Sequence, residues 1–495
     1  MTPHSGLFSR LQRLPRSLLF GGIFFGLCVG GLFGPIEETL AQVRVNRKHT
    51  KTPLGPFPKE VQESAVLSPD GRHLAYIKKA DGKMQVVLDG KEMPPLDRAA
   101  ALTFSPDSQQ LAYVAGEGAE WFVVVGDRPQ NRYSRVGEPV FSPDSKHLAY
   151  VALLPDKKRT VVIDGQPGRT WDEIFDGLLV WSPDSQQLAY GARQGDPWFV
   201  VAGQQQYGPY AYLGSATGLV WSPDGRLGFA VLEGNKWTFV LQGQKLQTWD
   251  NLAEAVFSPE GKRLAYMAQK EGKWSVVLDG QAQQPFDALA EGSLLFSPDG
   301  KHLAYAARTG RKWSVVVDGT APKNLYDSIG QMLFSPQGGR LAYVAQTEGR
   351  ERVVMVSLTP SDPKSKQGSS PPEHKEDRLW DAVGDGSLVF SPNGRRFGYI
   401  ARSGGARFAV VDGRRKTRYD MVGYLTFTPD SRLFVYAATE AGKTFTVVDE
   451  AESEARYQEI WLPPGRPLLV DPKKKQIHFI AVEKDAAFLV EEQIE

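Results

Sequence analysis

At 495 residues, with 58 Lys and Arg against 57 Asp and Glu, the chain is long enough for one large or two ordinary domains and carries a formal net charge of only +1. That balance supplies no global field for gathering nucleic acid or an anionic membrane, and no nucleic-acid partner is expected. The single cysteine, Cys28, lies in an apolar N-terminal stretch, which excludes a disulfide, a thiolate nucleophile and a cysteine-ligated metal from the body of the chain.

Residues 1–41 read as a signal peptide or N-terminal membrane anchor. Arg10, Arg13 and Arg16 precede an uncharged run over residues 18–34, and Thr39-Leu40-Ala41 offers small residues where a signal peptidase looks for them. Cleavage after Ala41 is the expectation. The alternative is an uncleaved anchor, for which a 17-residue run is close to the lower limit. Arg44, Arg47, Lys48 and Lys51 follow closely, so the charge contrast across the run is weak.

From residue 42 to 495 the chain is a repeat region. A Ser-Pro-Asp-Gly turn, anchored by Ser or Thr, recurs at Ser68, Ser105, Ser142, Ser182, Ser222, Ser258, Ser297, Ser335, Ser391 and Thr428, with a degenerate eleventh copy at Asp471-Pro472. A spacing of about 40 residues with several short strands per unit predicts β-propeller blades, because one such sheet buries its two faces only when neighbours stack on it. In the seventh copy four strands fall at 293–296, 302–307, 312–317 and 324–326. Proline presets the first turn, and Asp-Gly pairs such as Asp279-Gly280 and Asp318-Gly319 close the third strand onto the fourth.

The pattern Phe-Ser-Pro-Asp-Gly-x-x-Leu-Ala-Tyr, as at residues 141–150 and 257–266, resembles the WD-repeat-like blades of TolB-type propellers over about residues 57–495. The resemblance implies an all-β propeller of about eleven four-stranded repeats. It says little of function, since similar blades serve envelope-assembly proteins and the propeller domains of prolyl-type peptidases. Ser108, Ser145 and Ser185 depart from it where the turn Gly is expected, and Lys473 where the acid is expected.

Pro56-Phe57 stands ahead of the first repeat at the offset of a fourth strand, whereas the last copy, with strands at 467–470, 476–482 and 487–490, lacks one. The N-terminal strand is therefore expected to complete the C-terminal blade. Eleven units exceed the usual four to eight blades, which favours two rings, with one large ring as the alternative. Residues 359–377, rich in Ser, Pro and Lys, read as a flexible insertion loop.

Chemistry is sparse. The turn acids, Asp70 through Asp430, exchange with Glu260, Gln337, Asn393 and Lys473, which suits a turn cap better than a calcium ligand. Trp121, Trp198, Trp237, Trp274, Trp313, Phe408 and Phe445 open the third strands and read as inter-blade packing rather than a stacking rim. Asp172, Asp250, Asp287, Asp327, Asp381 and Asp420, each after an aromatic residue, read as caps of the crossing loops. His73, His147 and His302 share a repeat position on different blades, and Gly442-Lys443-Thr444 is a hairpin loop rather than a phosphate loop. No Gly-x-Ser-x-Gly elbow is present. No catalytic, cofactor-binding or metal residue is assigned and no cofactor is expected. The reading is an exported, periplasmic or cell-envelope scaffold that binds a protein or peptide and meets the membrane only through an uncleaved N-terminus. The alternative is a propeller hydrolase or lyase with a site at the channel mouth.

Overall fold

The computed structural model describes residues 43–175, 179–214, 218–358 and 373–494. The expected signal or anchor lies outside the described residues. Among the described residues the strands form eleven sheets, one per repeat, and the helical element is a 3-10 turn over Lys59–Ser64.

Blade 7 shows how the sequence makes the unit. Leu303–Thr309 and Lys312–Val317 pair antiparallel from Ala304↔Val317 to Thr309↔Lys312. The inner strand is split into Ala288–Leu289 and Leu295–Phe296, because Gly292, at φ 77°, turns the chain out of the ladder. The fourth strand expected at 324–326 shrinks to one bridge, Trp313↔Tyr326, as Pro322 just upstream has no donor to give. Along the second strand the period of two assigns alternate residues to alternate neighbours. Leu303, Tyr305 and Ala307 pack with Met267 and Val276 of blade 6, while Ala304 and Ala306 pack with Leu341 and Tyr343 of blade 8.

The same alternation links consecutive blades around the whole molecule. In the last cluster, Ile477, Phe479 and Val490 of blade 11 meet Val435 and Ala437 of blade 10 together with Leu74, Tyr76 and Val87 of blade 1. Blade 11 therefore sits between the tenth and the first, and the eleven blades form a single ring. The two-ring expectation is corrected: a second ring would join non-consecutive repeats within one core, and these cores join neighbours in sequence. More blades mean less splay between successive sheets. A buried side chain, aromatic in most blades, as at Trp171, Trp249 and Trp380, and Leu96 in blade 1, then fills the gap beside the outer strand.

Closure follows the expected route. His49–Pro56 pairs antiparallel with Ala486–Gln493, from His49↔Glu492 to Pro56↔Ala486, and becomes the outer strand of blade 11. Ahead of it, Val43–Val45 adds parallel to Ala451–Ser453 on the outer edge of blade 10. Phe57 is buried edge-on against Tyr76 and Trp461, with ring centres 5.5 and 5.2 Å away.

The expected loop over 359–377 runs too far. Residues 359–372 lie outside the described residues, but Glu373–Glu376 is a strand paired with Arg350–Ser357, and it completes blade 8. An outermost strand faces solvent and needs no apolar pattern, which is why Glu-His-Lys-Glu does not read as one.

Candidate functional site: a groove across blades 2 to 5

Strands alternate in direction, so the Ser-Pro-Asp-Gly turn and the turn between third and fourth strands lie at one end of each blade, the turn face. Within the turn the Ser105 hydroxyl donates to Asp107 Oδ1 at 2.6 Å and accepts the Gln110 N–H at 2.9 Å, while Asp107 accepts the Gln109 N–H at 3.1 Å. The Ser105 hydroxyl and then that N–H hold the Asp107 carboxyl below its usual range. These acids are turn caps. Successive turns couple in two ways. Ser108, Ser145, Ser185 and Ser431, all at positive φ, accept the backbone N–H of Asp70, Asp107, Asp144 and Asn393 on the preceding blade, each at 3.0 Å. Where Gly stands instead, at Gly261, Gly300, Gly338 and Gly394, a Cβ would run into Asp224, Glu260, Asp299 and Gln337 of the preceding turn.

At the residue that leads into the second strand, four blades carry an arginine that bridges to the next blade. Arg226, Arg263, Arg340 and Arg396 each reach a carbonyl of the next blade, at Gly261, Gly300, Gly394 and Arg432 respectively. Each guanidinium also lies over an aromatic ring there: Phe257, Phe296, Phe390 and Phe427. Blades 2, 3 and 4 carry Gln110, His147 and Gln187 in that place, whose side chains donate to no carbonyl of the next blade. Three adjacent clefts lie here, of about 380 Å³ between blades 2 and 3, 630 Å³ between 3 and 4, and 470 Å³ between 4 and 5.

The largest cleft is walled by His147, Asp164, Arg169, Trp171, Trp181, Gln186 and Gln204 to Gln206. His147 Nδ1 sits 2.7 Å from Asp164 Oδ2, and its ring stacks on Trp181 with centres 5.7 Å apart. The Trp181 and Trp221 indoles donate to Val140 and Val180 carbonyls of the preceding blades at 3.1 and 3.0 Å, fixing the inner ends of the clefts. Trp171 Nε1 and Tyr150 Oη, both buried, have no hydrogen-bond partner on these walls. Amide side chains and indole faces in an open groove suit the hydrogen-bonding edge of an extended polypeptide.

The other candidates take structural places. The third-strand aromatics are packed under cations: Arg98 lies 4.5 Å from the Trp121 ring centre, Arg193 5.8 Å from Trp198 and Arg456 3.8 Å from Phe445. The crossing-loop acids clamp each blade to the next, Asp172 accepting the Gly195 N–H at 2.6 Å and Asp250 the Glu271 N–H at 2.7 Å. His73, His147 and His302 stay on separate blades, each paired with the Asp of its own turn at 2.7 Å. Gly442 lies in the hairpin between Phe434–Glu440 and Lys443–Val448. Among the described residues, no three His, Cys, Asp or Glu side chains gather as a metal would need. Glu254, on the inner strand of blade 6, is raised above its usual range by burial, and its carboxylate caps the Gly292 N–H of blade 7 at 2.8 Å. The groove itself was missed in the sequence, although the exchange of Arg for Gln or His at one repeat position was visible there.

No protein-family model matches the chain, and comparison with curated proteins finds no match. Solved structures with similar folds include a eukaryotic initiation factor (14% identity, 66% of this chain and 90% of that one, TM-score 0.37). The β-propeller domain of the Trilobed protease from Pyrococcus furiosus is similar at 16% identity over 52% of this chain and 97% of that one, TM-score 0.28. TolB from Acinetobacter baumannii is similar at 16% identity over 57% of this chain and 78% of that one, TM-score 0.23. The chain is an eleven-bladed β-propeller, an assignment that rests on its own blade pairings and closure.

Proposed function

We propose that this protein is an exported, non-catalytic propeller of the cell envelope that binds a protein or peptide partner in the groove across blades 2 to 5. The observation that carries the reading is the run of three adjacent open clefts at Gln110, His147 and Gln187, the position from which Arg226, Arg263, Arg340 and Arg396 bridge to the next blade. A rigid ring that leaves one sector unfilled offers a preformed site, and ordering costs little there on binding. Export is supported by the basic leader and apolar run before Ala41.

A photoreactive residue in place of Gln205, compared with one in place of Lys262 on blade 6, tests the site in intact cells. A discrete cross-linked polypeptide is expected at Gln205 alone, and it disappears when Gln187→Arg and His147→Arg fill the clefts. Equal cross-linking at both positions, or none that responds to filling, would remove the groove as the site.

A further inference from the structure

The net charge of +1 conceals an uneven distribution. Between residues 395 and 418, blade 9 carries eight Lys or Arg and one acid, Asp412. On the turn face this basic sector continues through the next two blades. Arg395, Arg414, Arg432, Lys473 and Lys474 are exposed there, and so is Lys48, where the N-terminal strand enters blade 11. The acids between them are occupied by their own turns. Asp412 accepts the Phe397 N–H at 2.9 Å and pairs with Arg396 at 3.0 Å. Asp430 accepts from the Thr428 hydroxyl at 2.6 Å, Asp449 from the Phe434 N–H at 3.0 Å, and Asp471 from the N–H groups of Lys473 and Lys474 at 2.9 and 3.0 Å. Glu450 is exposed and is held by Lys416 at 2.8 Å. Arg432 lies 3.8 Å from Asp430, whereas Arg395, Arg414, Lys473, Lys474 and Lys48 are exposed.

The direction of the chain is a second, independent observation. Val43 pairs with Ala451, the residue that follows the Asp449-Glu450 turn, so the first described residue lies at the turn face in this same sector. In sequence the apolar run ends at Gly34, and the eight residues 35–42 that separate it from Val43 span at most about 30 Å when extended.

We propose that the turn face of blades 9 to 11 docks on an anionic lipid surface. Clustered Lys and Arg are drawn to acidic headgroups within a Debye length, and in the alternative in which residues 18–34 stay as an uncleaved anchor, the short segment before Val43 holds them at that range as well. Contact through one sector tilts the ring, which leaves the groove across blades 2 to 5 open to its partner.

The test uses the chain beginning at Gln42, whose ring closes without any earlier residue. It is sedimented with vesicles of phosphatidylcholine alone and of phosphatidylcholine mixed with phosphatidylglycerol, at low and high salt. Binding to the mixed vesicles only is expected, weakened by salt. In Arg414→Glu/Lys473→Glu/Lys474→Glu it falls more than about tenfold. The control Lys262→Glu/Lys301→Glu/Lys323→Glu, reversed on other blades of the same face, binds as the unaltered chain, and circular dichroism verifies that both variants are folded. Four results would each overturn the proposal: no binding, equal binding to both vesicle types, equal loss in both variants, or preference for a soluble polyanion such as heparin over the mixed vesicles.

Discussion

Arg47 Nη1 donates to Glu492 Oε1 at 3.1 Å, and both side chains are buried in the seam between blades 10 and 11. The second guanidinium nitrogen donates to the Ala451 carbonyl at 2.7 Å, and the Thr446 hydroxyl donates to the Glu492 carboxylate at 2.9 Å. Removing one partner leaves an uncompensated buried charge. We expect Arg47→Ala to destabilise the ring by about 3–5 kcal/mol in urea unfolding. Arg44, mostly exposed and 3.8 Å from Glu452, serves as control, with Arg44→Ala costing less than about 1 kcal/mol. Equal effects would place the seam's stability elsewhere.

The coupling between turns predicts costs of different size and cause for exchanges at one repeat position. Ser145→Ala leaves the Asp107 N–H without its acceptor and costs about 1–2 kcal/mol. Gly338→Ser, at φ 77°, costs more, because its Cβ meets the Asp299 carboxylate as well as a backbone conformation that disfavours side chains. Thermal unfolding of the two variants ranks them. A Gly338→Ser chain as stable as the unaltered one would show that the preceding turn gives way freely.

Deletions on either side of residue 372 separate insertion from strand. Removing 361–370 leaves the melting temperature nearly unchanged, as expected for a polar segment without a strand pattern. Removing 373–377 strips the outer strand from blade 8, with the Glu376 acceptor of Tyr326 at 2.7 Å and the His374 partner of Tyr343 at 3.0 Å, and lowers it by several degrees.

Acid sensitivity has two stages. His478 and His374 are lowered by burial. His478 Nε2 lies 2.7 Å from the Asp70 carbonyl, with Arg72 opposing protonation and Glu491 and Asp70 favouring it. A depressed native value means that the unfolded chain takes up protons first, so stability is full above about pH 6.5 and declines below it. Asp107, Asp144 and Asp184 are lowered first by the hydroxyls of Ser105, Ser142 and Ser182, so their contribution is present above about pH 3.9 and lost as the pH falls further. Urea midpoints measured from pH 8 to 3 should show both declines, and His374→Gln/His478→Gln should flatten the first. An unchanged slope between pH 6.5 and 5 in that variant would exclude the histidines.

The fold was legible because each blade repeats the same local chemistry: Leu-Ala-Tyr at 303–305 supplies alternate faces to two neighbours, and the turn at 297–300 fixes the hairpin. Ring number was not, since it depends on which blade meets blade 11 across the chain ends, a relation between residues such as Tyr76 and Phe479 that no local pattern encodes. The strand at 373–376 was hidden because only its backbone is needed to pair. The groove was hidden for a different reason. It lies where Gln187 makes no span, and a missing span between blades becomes visible only when Arg226 and Arg263 are seen to make one.

Because the strand that seals the ring lies at the start of the chain, the first folded residues to leave the ribosome are the last to find their place. Arg47 and Glu492 stand 445 positions apart, so the seal waits for the final strand to be synthesised. A chain that ends before blade 11 leaves blade 1 with an uncovered apolar face and the strand His49–Pro56 with its edge unpaired. Proteases and chaperones that recognise such edges thereby receive a direct report on whether translation was completed.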